Sequence, residues 1–504
     1  MTRKIWGIWG RVVALALAAG IFSTVSANAE SVRPTIAVTG TTAGAQAFIS
    51  FLSVTVTPAT AIPSIKTIAF TISPKQGSKT RAISATYSLD YLTGRGYVNL
   101  ADGVITVPVF GLYANRLNDV TLRYTFLSGS IDRAEVPIET GTFNDTTPGQ
   151  IYLNPTIVQP RSENSKLSYD FIYLKNYASA NTPIIIDTDG EVRWAGTAGL
   201  AEIASIFFDN GVYISSGDGV VRMELDGTYS TYGQYADIGV TSSGHHNYDP
   251  GKYGFIMDVN TTGDYECVDL ESDASGNIIK IWQLAEIISN AMLDGGDDPS
   301  AFVRPTADWF HNNSVTYRKS DDSIIISSRE NFVICLDYNT NKIKWILGDP
   351  TKAWYTYPSL RKYALTLTPG SLPPIGQHAL SISKNGNLLL FDDGENSENQ
   401  TPAGASRTYS AAREYAININ KMTATEVWHY TADEKIFTPF CSSVYEDAPG
   451  SYLIDWATET AGTTELVGFD ASGVKAFDYT YPTLNFAGTA WNAVPIHLED
   501  VTFH

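Results

Sequence analysis

Seven histidines occur in the 504 residues, at 245, 246, 311, 378, 429, 497 and 504. Their placement is uneven. His245/His246, His311 and His378 each fall just before an apolar, β-branched run that turns back on itself. Around His311 the chain reads DWFHNNSVTYRKSDDSIIISSRE. Antiparallel pairing about the turn at 319–322 puts His311 opposite residue 329 or 330. The imidazole and the Arg329 guanidinium therefore share one end of a hairpin. Such a set suits two chemistries. Three histidines bind zinc in some hydrolases, but a fixed arginine beside a dication is repulsive, so no metal is expected. An oxyanion site fits better. Arginine presents a planar fork to sulfate or phosphate. Imidazoles and amides donate to equatorial oxygens, and one neutral imidazole can attack the central atom.

A repeat must bring these residues together. One recurring half is an apolar run, an Asp or Asn, a polar turn, and a run ending in an aromatic residue. It occurs at 184–194, 220–229, 267–282, 333–345, 415–428 and 466–477. The other half is a run, a turn with Gly, Asn or Asp, and a strongly apolar run. It occurs at 205–216, 246–259, 314–328, 379–391 and 442–456, with a first copy expected around 167–175. Two hairpins make a four-stranded unit that cannot bury both faces alone, so the units must stack. Radial stacking gives a six-bladed β-propeller. The first strand of each blade is then innermost, and equivalent strand starts converge on one mouth of the channel. The aromatic residues at 194, 282, 345, 428 and 477 are expected to pack between blades. The segment 284–306 contains AEIISNAML, which reads as a short helix within an insertion. His429, His497 and His504 are read as structural.

The rest of the chain fixes the class. From 33 to 149 the pattern is alternating and turn-rich, as in FISFLSVTVTPA and NDVTLRYTF, and indicates a small β-sandwich. Hydrophobic residues are 43% and charged residues 17%, as in an ordinary globular protein, and tyrosines are numerous at 28. The formal charge of −19, without a basic patch, argues against nucleic acid or an anionic membrane as partner. At the N-terminus Arg3 and Lys4 precede an apolar run at 12–25 and the small-residue site Ala27-Asn28-Ala29. This reads as a cleavable export signal, without stable membrane insertion. The expected division is a leader at 1–29, a β-sandwich-like domain at 30–149 and a propeller at 150–504. Cys267, Cys335 and Cys441 are expected as buried thiols.

The segments DWFHNNS (308–314), SIIISSRE (323–330), KIKWILGDP (342–350), GQHAL with NGNLLLFDDG (376–394) and HHNYD (245–249) together resemble the bacterial arylsulfate sulfotransferase family. The resemblance covers most of the chain. It implies a periplasmic six-bladed propeller that moves a sulfuryl group from a phenolic sulfate ester to a phenol, by a ping-pong route and without a nucleotide donor or other cofactor. It implies His378 as the nucleophile that becomes sulfated. His311, Arg329 and one of the pair His245/His246, with His246 favoured, complete the catalytic set. Asn313 and Ser442 or Ser443 correspond to further pocket residues, and a homodimer is implied. Two departures concern substrate choice. Residues 346–377 hold no cysteine where some members carry a close pair, and 395–412 is a polar insertion. Trp309, Phe310 and Phe440 are candidates to hold the rings, with core packing as the competing role. The alternatives from other classes are a metal-dependent hydrolase or lyase, and a non-enzymatic ligand-binding propeller.

Overall fold

Alternation of apolar and polar residues builds the first domain. Ile49–Thr57 and Leu117–Phe126 bury every second side chain, which places one face of each strand on a common core. Two sheets result. One holds Thr35–Ala43, Ile49–Thr57, Val104–Phe110 and Val98–Asn99. The other holds Ile65–Ile72, Ile83–Ser88, Leu117–Phe126 and Ile131–Glu139. Leu52, Val54, Phe70, Val107 and Leu122 fill the space between them. The computed structural model describes residues 34–504, so the expected leader at 1–29 lies outside the described residues. Among the described residues no helix is long and apolar enough to cross a membrane.

Six sheets follow and form a β-propeller, antiparallel except where Thr366–Leu367 pairs in parallel with Thr423–Tyr430. Their runs are buried on both faces, as in Ser323–Ser328 and Ser451–Trp456, because each sheet is covered by a neighbour on either side. Trp194, Trp282, Trp345 and Phe477 are wholly buried between sheets, while Trp428 stacks on Tyr452 at 4.3 Å. The inner strands touch in sequence from Ser205–Phe208 round to Asn492–Ile496, and Phe171–Lys175 meets Ser205–Phe208 to complete the ring. The segment expected to be helical forms Leu284–Asp294. The three cysteines are free and buried.

The ring departs from the repeat in three places. The first sheet takes its innermost strand, Asn492–Ile496, from the end of the chain, paired with Phe171–Lys175. Here the first strand in sequence is not innermost. The last strand, Val501–Phe503, leaves the propeller and pairs in parallel with Ile83–Ser88 of the first domain. In the third sheet the innermost strand is broken into Val240–Ser242 and Tyr248–Pro250, both pairing with Gly254–Thr261.

Candidate functional site

The break in the third sheet carries the histidine pair. Between its halves the backbone leaves the ladder, and the Asp258 carboxylate accepts the freed N–H groups of His246 and Asn247. His311 directly precedes the strand Asn312–Arg318 and takes a left-handed backbone, φ 54°. Its carbonyl accepts the Arg329 N–H at 3.1 Å, so the hairpin ends meet as the pairing argument requires. His378 opens the strand His378–Ile382 and is followed by Ala379 at φ 51°. Cys441 and Ser442, at φ 68° and 73°, precede Ser443–Ala448. Strain of this kind, about 1–3 kcal/mol per residue, persists only where surrounding structure enforces it.

The four imidazoles form one cluster. Ring centroids lie 4.9 Å apart for His246 and His311, 4.3 Å for His245 and His246, and 5.4 Å for His246 and His378. The Trp491 ring covers His246 at 5.2 Å. His311 Nδ1 meets Asp308 at 2.8 Å and Glu266 at 2.9 Å, and its Nε2 lies 2.8 Å from His246 Nε2. Burial opposes a charge on His311, yet Asp308 and Glu266 outweigh it and push the imidazole up to about 9. His311 is therefore a cation at neutral pH and donates from Nε2 to a neutral His246. The remaining proton of His246 sits on Nδ1, which is buried without a partner. Burial and then the neighbouring His245, His311, His378 and Arg329 hold His246 well below its ordinary value. His245 Nε2 bonds Glu266 at 2.7 Å, and burial lowers it too.

His378 differs from its neighbours. Its Nδ1 faces the Gly376 carbonyl at 3.0 Å and Asp393 at 2.7 Å, so the ring proton belongs there. Nε2 keeps its lone pair, with only the Cys441 N–H at 3.4 Å beside it. Burial, then the charges of Arg329 and His311, keep this imidazole neutral far below its ordinary range. Arg329 is buried and forks between Glu330 and Glu398, each at 2.8 Å. Glu330 is wholly buried, whereas Glu398 comes from the polar insertion and its side chain is 65% exposed.

Asn313 is buried; its Nδ2 donates to the Gln377 carbonyl at 2.9 Å and its Oδ1 has no partner. Ser442 Oγ accepts the Ala457 N–H at 3.0 Å and meets Thr438 Oγ1 at 3.0 Å. Ser443 Oγ is tied to the backbone of Ala493 in both directions and so stitches the last sheet to the closing strand. Trp309 and Phe310 are wholly buried core, and Phe440 is partly buried beside Trp491 and Cys441. His497 lies 2.9 Å from Asp447, away from the cluster, and His429 is exposed. The sequence reading overlooked Glu266, Asp308, Asp393 and Trp491. Asp308 and Asp393 stand inside the quoted segments DWFHNNS and LLLFDDG, three residues before His311 and directly after the second run of the His378 hairpin.

The donor atoms of His245, His246 and His311 lie within 4.8 Å of one another, as do those of Glu266, Asp308 and His311, so either set is close enough to hold a metal ion. Against that, His246 and His311 share a proton along a direct contact, and His311 is charged.

Comparison with known proteins bears on this site. The family model described as Arylsulfotransferase (ASST) matches residues 157–480, and that of the Arylsulfotransferase Ig-like domain matches 52–141. Arylsulfate sulfotransferase AssT of Escherichia coli O6:H1 is 27% identical over 261 residues, 41% of this chain and 43% of that protein. AssT of Lelliottia amnigena is 24% identical over 260 residues, 43% of this chain and 41% of that protein. The matches thus span less than half the length of these curated relatives. Solved structures of similar outline include a structural-genomics protein of unknown function from Bacteroides thetaiotaomicron (9% identity, 89% of this chain, 98% of that chain, TM-score 0.32). Another is the β-propeller domain of Cps50 (Swd1) from Myceliophteria thermophila (9% identity, 65% and 100%, TM-score 0.33). At those scores neither carries an argument.

Proposed function

The chain belongs to the arylsulfotransferase family, and on that premise we propose that it transfers a sulfuryl group between phenols through a sulfated His378. One observation carries the reading. His378 is a neutral imidazole whose Nδ1 proton is donated to the Gly376 carbonyl, with the Asp393 carboxyl 2.7 Å away, while Nε2 offers a lone pair. Nε2 attacks the sulfur of an aryl sulfate, an N–S bond forms, and the S–O(aryl) bond breaks. His311 gives its Nε2 proton to the departing phenolate. A second phenol then returns that proton to His311, attacks the sulfur and expels Nε2. Arg329, the free Nδ1–H of His246 and the second N–H of Asn313 Nδ2 stabilise the sulfonate oxygens. Ser442 shapes the wall behind Cys441, and Ser443 holds the strand on which it stands. The protein acts after export to the periplasm, as the homodimer implied by the family resemblance.

The test is intact mass after exposure to 4-nitrophenyl sulfate without acceptor. A single SO₃ adduct is expected on the wild type and none on His378→Ala. An adduct that persists in His378→Ala overturns the nucleophile. The proximity of the His245, His246 and His311 donor atoms supports a second reading, a metal-dependent hydrolase. Activity that falls with chelation and returns with a stoichiometric divalent metal would favour it over transfer.

A further inference from the structure

Several inner strands of the propeller start beside the histidine cluster and run away from it. His378 opens its strand, Asn313 stands near the start of the next, and Trp491 precedes the closing strand. Followed to their far ends, the same strands enclose a cavity of about 330 Å³. None of the histidines lines it, nor does Arg329. Its walls are flat and apolar, with Tyr173, Phe207, Tyr248, Tyr317 and Tyr445 among them. The size lies at the low end of small-molecule pockets.

Three residues lining this space carry unused hydrogen-bonding capacity. Ser381 Oγ is buried without a hydrogen-bond partner. Tyr173 Oη makes no hydrogen bond of good geometry, although the Ser205 side chain lies nearby. Lys175, 2% exposed, donates to Asn247 Oδ1 and to the Tyr248 carbonyl, leaving one of its three N–H groups free. Native proteins rarely leave such groups unmatched unless something occupies the space beside them. Asp249 also lines the cavity. Its carboxylate already accepts from Asn247 and from the Val315 N–H and offsets the charge of Lys175, so the wall offers an anion no net attraction.

We propose that the far half of the channel is a second binding site, for a neutral one- or two-ring phenol whose oxygen meets Lys175, Tyr173 and Ser381. An aryl sulfate is disfavoured because the paired charges of Lys175 and Asp249 do not offset the cost of burying it, and a wider ring system is excluded by the volume. The inference stands independently of the transfer reaction.

The test uses 2-naphthol with the full chain. In crystals soaked with it, the ring is expected in this cavity with its oxygen within hydrogen-bonding distance of Lys175 or Ser381. Density for water alone in the cavity overturns the proposal, whatever is seen beside His378. Occupancy beside His378 reports separately on the transfer reading. In calorimetry Leu380→Trp, which fills the space, is expected to remove one class of 2-naphthol site. Ser381→Ala, which removes only a hydroxyl, is expected to weaken the same class about fivefold, as for one hydrogen bond. Unchanged titrations in both variants overturn it. 2-Naphthyl sulfate is the control, and its appearance in the cavity overturns the stated selectivity.

Discussion

His311 and His378 sit in one cluster and are held in opposite charge states. Burial acts against charge on both. Two carboxylates rescue the cation at His311, whereas Arg329 and His311 itself add to the penalty at His378. The pH dependence follows with a definite sign. A group raised to about 9 is protonated below that value, so the acid is present at neutral pH and is lost on the alkaline side. The kcat/KM for 4-nitrophenyl sulfate is expected to be flat near neutrality and to fall as pH rises through about 9. Asp308→Asn removes one of the carboxylates that hold the proton, so the alkaline limb should move to lower pH. A limb that stays in place would remove His311 from the acid role. Arg329 is the fixed cation beside His378, the proposed nucleophile. Arg329→Met is expected to lower the transfer rate by about 10²–10³-fold, the usual loss for one donor to developing charge. Arg329→Lys should recover little, because a point charge does not reproduce the fork. Steady-state assays on folded variants decide both.

At the scale of elements, the site is a set of strand starts plus one loop. The hairpin from His311 to Arg329 was legible because its turn and its apolar runs fix the register. The repeat likewise placed His246 and His378 at strand starts. Less legible were the carboxylates. Glu266 stands on the second sheet-forming run of another hairpin, and only folding brings it to His245 and His311. The short closing run NAVPI carries a proline and no turn signal, so it read as tail. The polar insertion is more ordered than its composition suggests. Asn399 N–H and Ser397 Oγ donate to Glu330, and Gln400 Nε2 donates to the Trp309 carbonyl. This anchoring delivers Glu398 to Arg329. In the proposed transfer an incoming sulfonate competes with that carboxylate for the same fork. Glu398→Gln is therefore expected to lower KM for the donor severalfold with kcat little changed, and a raised KM would show that Glu398 helps to bind rather than competes.

At the scale of the molecule, the two domains share one core, which runs from the first domain into the first propeller sheet. Arg193 seals the joint: it donates to the Gly111 carbonyl, pairs with Asp187 at 2.9 Å and lies over the Tyr113 ring at 3.7 Å. The C-terminal strand adds a second clasp. Phe503 stacks on Tyr87 at 4.9 Å and contacts Tyr91 at 5.0 Å. Phe503→Ala is expected to cost about 3 kcal/mol, read as a lower urea midpoint, with the transfer rate of the folded protein unchanged. A variant that keeps its midpoint would mean the clasp contributes nothing measurable.

The strand Asn492–Ile496 also imposes a schedule. It closes the ring, and Trp491, directly before it, is the wall against His246. A nascent chain has already exposed His246, His311 and His378 long before this strand leaves the ribosome. Until then the first sheet lacks its inner edge and His246 lacks its aromatic cover. Truncated products of interrupted synthesis therefore carry every titratable group of the site but not its enclosure. The aromatic cover of His246 is therefore completed only when Asn492–Ile496 closes the ring.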